Sequence, residues 1–276
     1  MRAYKIKWTV VLRHLALFSG ACVMTFPFVW MILTSLKTSP EAAAIPPTFL
    51  PKELVLENFS RAWESAPFGR YFLNSVLQSV GTTVLVLFSS ITASYSFSHI
   101  NFKGKKVLFT LFLATMMVPV EISLIPNFVT IRHLGWYDTF YSLTVPFGAN
   151  AFSIFMLRQA FMGLPKDMWD AAYCDGCGHF TYLLKIALPL VKASVSIIAL
   201  LTFVGSWNSL LWPLIITSST KMRTVQVGLL AFTQEAGTNF PLLMAASAFV
   251  IAPVLILFFF TQQHLIEGIA HSGVKG

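Results

Sequence analysis

LPKDMWDAAYCDGCGHFTYLLKIALP, residues 164–189, is a polar, charged stretch set between two long apolar runs. A chain leaving a hydrocarbon phase can turn and re-enter it within a few residues. This one uses 26, and they are patterned. Pro165 suits the first turn of a helix, where its missing N–H has no intrahelical partner to lose. Asp167 and Asp170 sit near that N-terminus, where the helix dipole favours anions. Gly176 supplies the left-handed residue that ends a helix. The spacing predicts a short helix over 165–175. Met168, Ala171, Ala172 and Asp175 fall at i, i+3, i+4 and i+7 and share a face, which the two alanines keep shallow enough for a foreign backbone to approach. Trp169 and Tyr173 form a neighbouring ridge of the kind found at interface centres. Leu164 leads into the helix, and Ile186, Leu188 and Pro189 lead on to the next apolar run. Helices that lie on lipid headgroups carry Lys and Arg on their polar face. This face is acidic, so the expectation is a docking helix for a soluble protein.

The 276 residues are 56% hydrophobic and 11% charged, with a mean hydropathy of +0.71. Soluble domains carry about 25% charged residues. Too little charge is present to cover a water-facing surface, so the main solvent is lipid. The expected fold class is an all-α polytopic membrane protein, one domain over 1–276. The net charge of +8 does not indicate nucleic acid, because the basic residues lie in short segments between apolar runs, where they orient the chain. The N-terminus has a basic start and a long apolar run without a small-x-small cleavage site, and reads as a retained first span. Cys22, Cys174 and Cys177 offer no convincing pair across an external segment, so no disulfide framework is expected.

Six apolar runs, at about 12–36, 72–97, 107–131, 140–161, 191–216 and 242–262, each hold the ~20 residues a helix needs to cross a ~30 Å hydrocarbon core. Pro27 interrupts the first, Pro119 and Pro126 the third, Pro146 the fourth and Pro253 the sixth. With the N-terminus inside, twelve of the 19 Lys and Arg fall on the inner side, Lys103, Lys105, Lys106, Arg158, Lys166 and Lys185 among them, and most acids fall outside. The positive-inside rule then places both termini and residues 164–189 in the cytoplasm. The long outer segment, 37–71, starts proline-rich and extended and ends on the amphipathic pattern ENFSRAWESAPFGRYF, a short interfacial helix.

The spacing Asp170-Ala171-Ala172, then Gly176, then Ile186-x-Leu188-Pro189 resembles the EAA motif of the permease subunits of bacterial binding-protein-dependent ABC importers. Asp170 stands where that family usually has Glu, which keeps the charge and shortens the side chain by a methylene. Trp207-Asn208 with Trp212-Pro213, VPVEISLIP from Val118 to Pro126, FMLRQAF from Phe155 to Phe161, and GVKG from Gly273 to Gly276 are similar to the carbohydrate-uptake branch, the maltose-type second permease in particular. The resemblance implies the type I ABC importer permease fold, with six transmembrane helices in the bacterial inner membrane. It implies that Leu164, Pro165, Met168, Trp169, Asp170, Ala171, Ala172, Asp175, Gly176 and Pro189 form a coupling segment seated on a cytoplasmic ATP-binding subunit, present in two copies. A second homologous permease would complete the pathway, and an extracytoplasmic solute-binding protein would deliver a carbohydrate. Gly273, Val274, Lys275 and Gly276 would reach the ATPase interface. ATP and Mg would be held by the partner subunits, with no cofactor on this chain. The same machinery importing a phosphorylated polyol such as a glycerol phosphate stays open beside the carbohydrate.

Other constellations carry less. The sequence has no G-x-x-x-x-G-K-[ST] phosphate loop and no HExxH. His14, His99, His133, His179, His264 and His271 are scattered without metal-ligand spacing, and Cys174-Asp175-Gly176-Cys177 lacks a second pair. No metal site and no catalytic residue is expected. Glu121 is the one acid inside an apolar run. A mid-bilayer charge costs about 2.5–3.5 kcal/mol and marks a pathway, but Glu121 lies roughly 20 Å from the inner end of its run at the helical rise. It is either a residue near the outer end of the pathway or an interfacial acid satisfied by solvent. Trp207, Asn208 and Trp212 combine flat rings with an amide, the chemistry that meets a sugar's C–H faces and hydroxyls, and read otherwise as an aromatic belt. Asn127 and Asn150 are further pathway candidates. Ser89, Ser90 and Thr92 read as glue between helices. An ion-coupled transporter would show several intramembrane ionisable residues, and Glu121 stands alone.

Overall fold

The computed structural model describes residues 8–234 and 237–273. Besides short helical turns at Ser39–Ala42 and Val225–Leu229, the helices in chain order are α1 Trp8–Ser35, α2 Glu57–Glu64, α3 Phe68–His99, α4 Lys105–Thr115, α5 Leu124–His133, α6 Phe140–Thr144, α7 Ala151–Met162, α8 Lys166–Cys174, α9 His179–Leu190, α10 Lys192–Trp207, α11 Leu211–Ile216 and α12 Phe240–Gly273. A minimal antiparallel pairing of Thr233–Gln234 with Gly237–Thr238 precedes α12. By its internal contacts the chain divides into two compact units: Met1–Pro67 with Leu229–Ala252, and Phe68–Gly228 with Pro253–Gly276.

In the first unit, α1 leaves most of its apolar surface bare, with Leu12, Leu15, Leu17, Phe18, Val23 and Met24 all more than half exposed. So large an apolar surface belongs against hydrocarbon or another subunit, not water. The segment after α1 is not simply extended: Thr38 caps a helical turn at Ser39–Ala42. Lys37 is buried, donates to the Thr48 carbonyl and lies 4.7 Å from the centre of the Trp30 ring. The amphipathic helix expected after it is α2. Its buried Asn58 donates to the carbonyls of Ser35 and Lys37 at 2.8 and 2.9 Å, and its Phe59 and Trp63 meet Phe249 edge-on.

The second unit is built around α3, which packs most extensively against α7 and α10. Its 32 residues run about 48 Å at the helical rise, longer than a ~30 Å hydrocarbon core. Its faces invert the soluble pattern. Leu73, Val76, Leu77, Val80, Val84 and Phe88 are exposed, while Asn74, Ser75, Gln78, Ser79, Thr82, Ser90 and Ser94 are buried. Small residues let helix backbones approach closely when lipid supplies no hydrophobic drive between them. The buried amides and hydroxyls also bind the chain locally. Asn74 donates to the Lys221 and Arg223 carbonyls, both at 2.8 Å, and Ser75 Oγ accepts from the Val225 N–H at 2.9 Å. Ser89 Oγ donates to the Gly148 carbonyl at 2.7 Å and so does tie helices together. Thr92 instead bonds its own helix at the Phe88 carbonyl.

Gly228 sits where this packing is closest. A Cβ there would lie 2.6 Å from Cδ2 and 3.0 Å from Cε2 of the buried Tyr71 ring. Forcing a methyl into such a site costs typically about 1–3 kcal/mol. Gly228→Ala is therefore expected to lower the thermal unfolding midpoint in detergent, while Gly178→Ala, which meets nothing within 4 Å, leaves it unchanged.

The expected spans are not all continuous helices. Among the described residues, α1, α3 and Phe240–Gln262 of α12 are long and apolar enough to cross a membrane, and up to five spans result if two bent pairs each count as one. Those pairs are Phe140–Phe147 with α7, bent by 46°, and α9 with α10, bent by 81°. The third run, 107–131, is split into α4 and α5. Pro119 makes the break: it takes φ −59°, ψ 134°, and a 3₁₀ turn at Val120–Ser123 follows. Pro126 breaks nothing, because it falls in the first turn of α5, where a helix has no N–H bond to lose. The fifth run likewise ends as a helix at Trp207 and resumes as α11.

At one end of this unit Asp138 holds the chain together. Its φ is +58°, a region that Asn and Asp tolerate best among residues with a Cβ. Its Oδ1 accepts from the N–H groups of Ser218 and Ser219 at 2.9 and 3.2 Å. Burial alone would raise its pKa, but the hydrogen bonds from Ser219 and Ser218 and the charge of Arg223 together hold it below the usual carboxylate value. A lowered carboxyl pKa stabilises the fold above the unfolded value, and that contribution disappears as pH falls through the folded one. Asp138→Asn is expected to keep the backbone bonds and φ but to remove this acid-sensitive share of stability. Unfolding midpoints of the two proteins, measured from neutral pH down through the carboxylate range, should converge on acidification.

Candidate functional site

Residues 164–189 fold into two helices, α8 and α9, and not a helix and a turn alone. Pro165 is the N-cap of α8 (φ −59°, ψ 135°), one position earlier than the first-turn place expected for it. Asp167 lies in the first turn. At the other end Gly176 takes φ +79°. The Gly176 N–H bonds the Tyr173 carbonyl at 3.0 Å and the Cys177 N–H bonds the Ala172 carbonyl at 2.9 Å, the paired bonds of a Schellman cap. α8 thus has a closed C-terminal cap at the expected residue.

The faces of α8 differ from expectation. Ala172, placed by spacing on the open face, is 7% exposed and belongs to the core formed with Leu157, Phe161, Tyr182 and Leu183. Trp169 is only partly exposed. It stacks on His179 at 4.3 Å and 8°, and meets Tyr182 edge-on at 4.9 Å. The reason is the return of the chain: α9 runs back beneath α8 and offers its aromatic face to the side that spacing alone leaves blank. What α8 exposes is Lys166, Asp167, Asp170, Ala171, Tyr173 and Cys174, continuing to Asp175 and Gly176, with Leu164 and Met168 half-buried. Cys174 and Cys177 are separate thiols.

α9 widens into a π turn at Leu183–Ala187, with the Leu188 N–H reaching back to the Leu183 carbonyl. Pro189 follows immediately. Its ring clashes with the carbonyl four residues back and offers it no N–H, so a widened turn just before it relieves both. The chain then bends by 81° into α10 at Val191. α8, α9 and α10 are linked through one set of buried contacts around Tyr182, Ala187 and Val191.

Beside α8 lies a hollow of about 520 Å³ lined by His99, Asn101, Lys105, Arg158, Lys166 and Asp170, among others. Two of its cations, Lys105 and Arg158, already serve the C-terminal end of α3. Lys105 Nζ donates to the Ser98 and Ile100 carbonyls at 3.2 and 2.8 Å, and Arg158 Nε donates to the Phe97 carbonyl at 3.1 Å. Burial, then the nearby Arg158 charge, lowers the Lys105 pKa.

Further from α8, the second unit contains two hollows that share Phe147 and Ser209 in their walls. One, of about 300 Å³, lies among α3, α7 and α10 and is lined by Gln78, Thr82, Asn150, Ser153, Thr202 and Ser206, among others. The other, of about 250 Å³, is lined by Glu121, Asn127, Leu210 and Trp212, among others. Asn150 also caps α7, accepting from the Ser153 N–H at 3.1 Å, which leaves its NH₂ group as the donor it can offer.

The structure thus brings Glu121, Asn127 and Trp212 to one hollow and Asn150 to its neighbour. It does not bring Trp207 or Asn208 to either. Trp207 is 1% exposed, between Phe72 and Phe203, so its ring serves the core. Asn208 is exposed and accepts from Gln226 at 3.3 Å. Trp212 is fixed by its Nε1–H bond to the Ser142 carbonyl at 2.8 Å and its edge-on contact with Phe147. Sequence reasoning passed over Gln78, Thr82, Ser153, Thr202, Ser206 and Ser209. The polar positions Gln78 and Thr82, four apart within an apolar run, were the available signal. Of the tail candidates, Gly273 is the last residue of α12, and Val274, Lys275 and Gly276 lie outside the described residues.

Residues 85–271 match the family model for the binding-protein-dependent transport system inner membrane component. The chain is 34% identical over 276 residues to the arabinooligosaccharides transport system permease protein AraQ of Bacillus subtilis (strain 168), covering 99% of this chain and 96% of that protein. It is 31% identical over 268 residues to the sn-glycerol-3-phosphate transport system permease protein UgpE of Yersinia pestis bv. Antiqua (strain Antiqua), covering 94% and 95%. Among solved structures, a chain of a bacterial ABC transporter involved in the import of the acidic polysaccharide alginate matches with a TM-score of 0.81 at 21% identity, covering 95% of this chain and 98% of that one. A chain of bacterial alginate ABC transporter in complex with alginate pentasaccharide-bound periplasmic protein matches with a TM-score of 0.65 at 14% identity, covering 92% and 95%. These structural matches share the fold.

Proposed function

The chain belongs to the family of binding-protein-dependent transport system inner membrane components, and we propose that it forms half of the pathway through which an ATP-driven importer carries a carbohydrate. The observation that carries this reading is α8: a helix closed by a Schellman cap, pinned on one side to its own chain and presenting an acidic ridge on the other. A second, homologous permease forms the other half. Two copies of a cytoplasmic ATP-binding subunit bind and hydrolyse ATP with Mg. One of them seats α8, with Leu164, Pro165, Met168, Trp169, Asp170, Ala171, Ala172, Asp175, Gly176 and Pro189 forming or supporting the seat. An extracytoplasmic binding protein delivers the cargo to the opposite side. Both termini are cytoplasmic, in the inner membrane of a bacterium, and the tail from Gly273 reaches toward the ATPase.

The buried contacts that join α8, α9 and α10 give this machinery its route. Closure of the ATPase pair displaces α8, the aromatic contacts of Trp169 pass the motion to α9, and the bend at Val191 delivers it to α10, which lines one of the hollows. The chain supplies binding and motion, and the chemistry of hydrolysis belongs to its partners.

The test is reconstitution of the chain with its partner permease, ATPase and binding protein, identified from neighbouring genes. Binding protein loaded from a saccharide panel is expected to stimulate ATP hydrolysis and uptake together. Uptake that persists without ATP and collapses with an ionophore would replace the reading with an ion-coupled transporter.

A further inference from the structure

We propose that the two adjoining hollows form a cargo contact on this chain, and that their chemistry admits an uncharged glycosyl unit and turns away anionic cargo. The inference rests on the carbohydrate-importer reading above and narrows it, since the relatives named there divide between an oligosaccharide and a phosphate ester.

The larger polar lining comes from three separate elements. Gln78 and Thr82 stand on α3, Ser153 lies on α7 with Asn150 as its cap, and Thr202 and Ser206 stand on α10. Amides and hydroxyls that both donate and accept are the match for a sugar hydroxyl, which does the same. Leu201, Phe147 and Phe152 supply apolar wall for C–H faces. Its volume of about 300 Å³ falls at the lower end of small-ligand sites, about 300–1,000 Å³.

Thr82 gives the second, independent observation. It is 4% exposed, it lines the hollow, and its Oγ1 has no hydrogen-bond partner. A buried hydroxyl left unpaired costs stability. Its oxygen is buried in the wall of the hollow, so a cargo hydroxyl would meet it only after the Thr82 side chain turns inward.

Charge sets the selectivity. Among the described residues, no ionisable side chain lines the first hollow, and the one acid lining the second is Glu121, without a basic residue beside it in either wall. A phosphate or uronate entering would leave water, meet no cation from this chain's part of these walls, and approach a carboxyl group. Burying an unpaired charge is far more costly than burying a hydroxyl that finds a partner. Lys105, Arg158 and Lys166 stand in the separate hollow beside α8.

The test uses the full reconstituted complex, with Cys22, Cys174 and Cys177 replaced and Ser206→Cys as the reporter. Thiol labelling is followed with small methanethiosulfonates carrying either a quaternary ammonium or a sulfonate. With each rate divided by that reagent's rate toward a free thiol in solution, the expected results are labelling at least tenfold faster by the cationic reagent, a smaller ratio in the added presence of Glu121→Gln, and at least fivefold slower labelling while saccharide is being imported. Thr82→Val is expected to keep or raise thermal stability and to reduce saccharide uptake severalfold. Saccharide import without protection of the cysteine, or uptake unchanged by Thr82→Val, would overturn the contact and leave the importer reading standing. Equal labelling by both reagents would overturn the charge selection. An intact complex that imports no saccharide would overturn the importer reading, and this inference with it.

Discussion

Asp170→Arg and Ala171→Arg, made singly, are expected to leave the chain folded and inserted while reducing cargo-stimulated ATP hydrolysis by the reconstituted complex by roughly tenfold or more. Both residues are exposed on α8, so neither change opens the core beneath it. Hot-spot residues at the centre of an interface typically contribute about 2 kcal/mol or more, and every 1.4 kcal/mol is a factor of about ten in affinity. Arginine reverses the charge at one position and fills the shallow surface at the other. The conservative variant Asp170→Glu restores the family's usual residue and is expected to hydrolyse ATP at the parent rate. The measurement is ATPase activity with and without loaded binding protein, beside the thermal unfolding midpoint of each variant. Full stimulation with both arginine variants would remove α8 from the coupling role. Ala172, which shares the predicted face by spacing, cannot serve this test: it is buried in the core, and a large side chain there would disturb folding and docking together.

That difference between Ala171 and Ala172 marks what the sequence could and could not disclose. The ends of α8 were legible because caps are local: Pro165 and Gly176 act on residues within one turn of themselves. The direction in which α8 faces was not, because it depends on His179 and Tyr182, which return on α9. The third run shows the same division. Its break was legible in Pro119, but whether Pro126 also breaks depends on where the new helix starts, and it starts two residues before that proline. The pathway candidates divided by reach. Trp207, Asn208 and Trp212 are near in sequence, yet the end of α10 at Trp207 sends the first into the core and the second to the surface. Gln78, Asn150 and Ser206 lie in three different runs and meet at one hollow. No periodicity within a run reports such a meeting.

Trp169→Ala is expected to abolish cargo-stimulated ATP hydrolysis by a different physical route from the arginine variants. α8 has nine residues, and isolated helices shorter than about 12–15 residues are marginal in water. Its order therefore rests on tertiary contacts, and Trp169 makes two of them, the stack on His179 and the edge contact with Tyr182 at 4.9 Å, beside a contact within α8 to the Tyr173 ring at 6.0 Å. His179 is held in turn by Tyr95, whose hydroxyl lies 2.9 Å from its Nδ1. Truncating a core tryptophan to alanine costs about 3–5 kcal/mol, and this partly exposed one should fall at or below the lower end. The loss is concentrated on a short element that cannot bear it, so α8 should loosen while the bundle around α3 stays folded. Backbone amides over residues 166–177 are expected to exchange with deuterium much faster in Trp169→Ala, and those of α3 at the parent rate. The Ala171→Arg variant should show parent exchange in both regions despite its lost stimulation, because it blocks the seat and leaves the helix intact. Trp169→Phe keeps a ring on His179 and should recover most of the stimulation. Parent-like exchange over 166–177 in Trp169→Ala would mean that the aromatic contacts do not hold α8, and the route from the ATPase to α10 would have to run through other contacts.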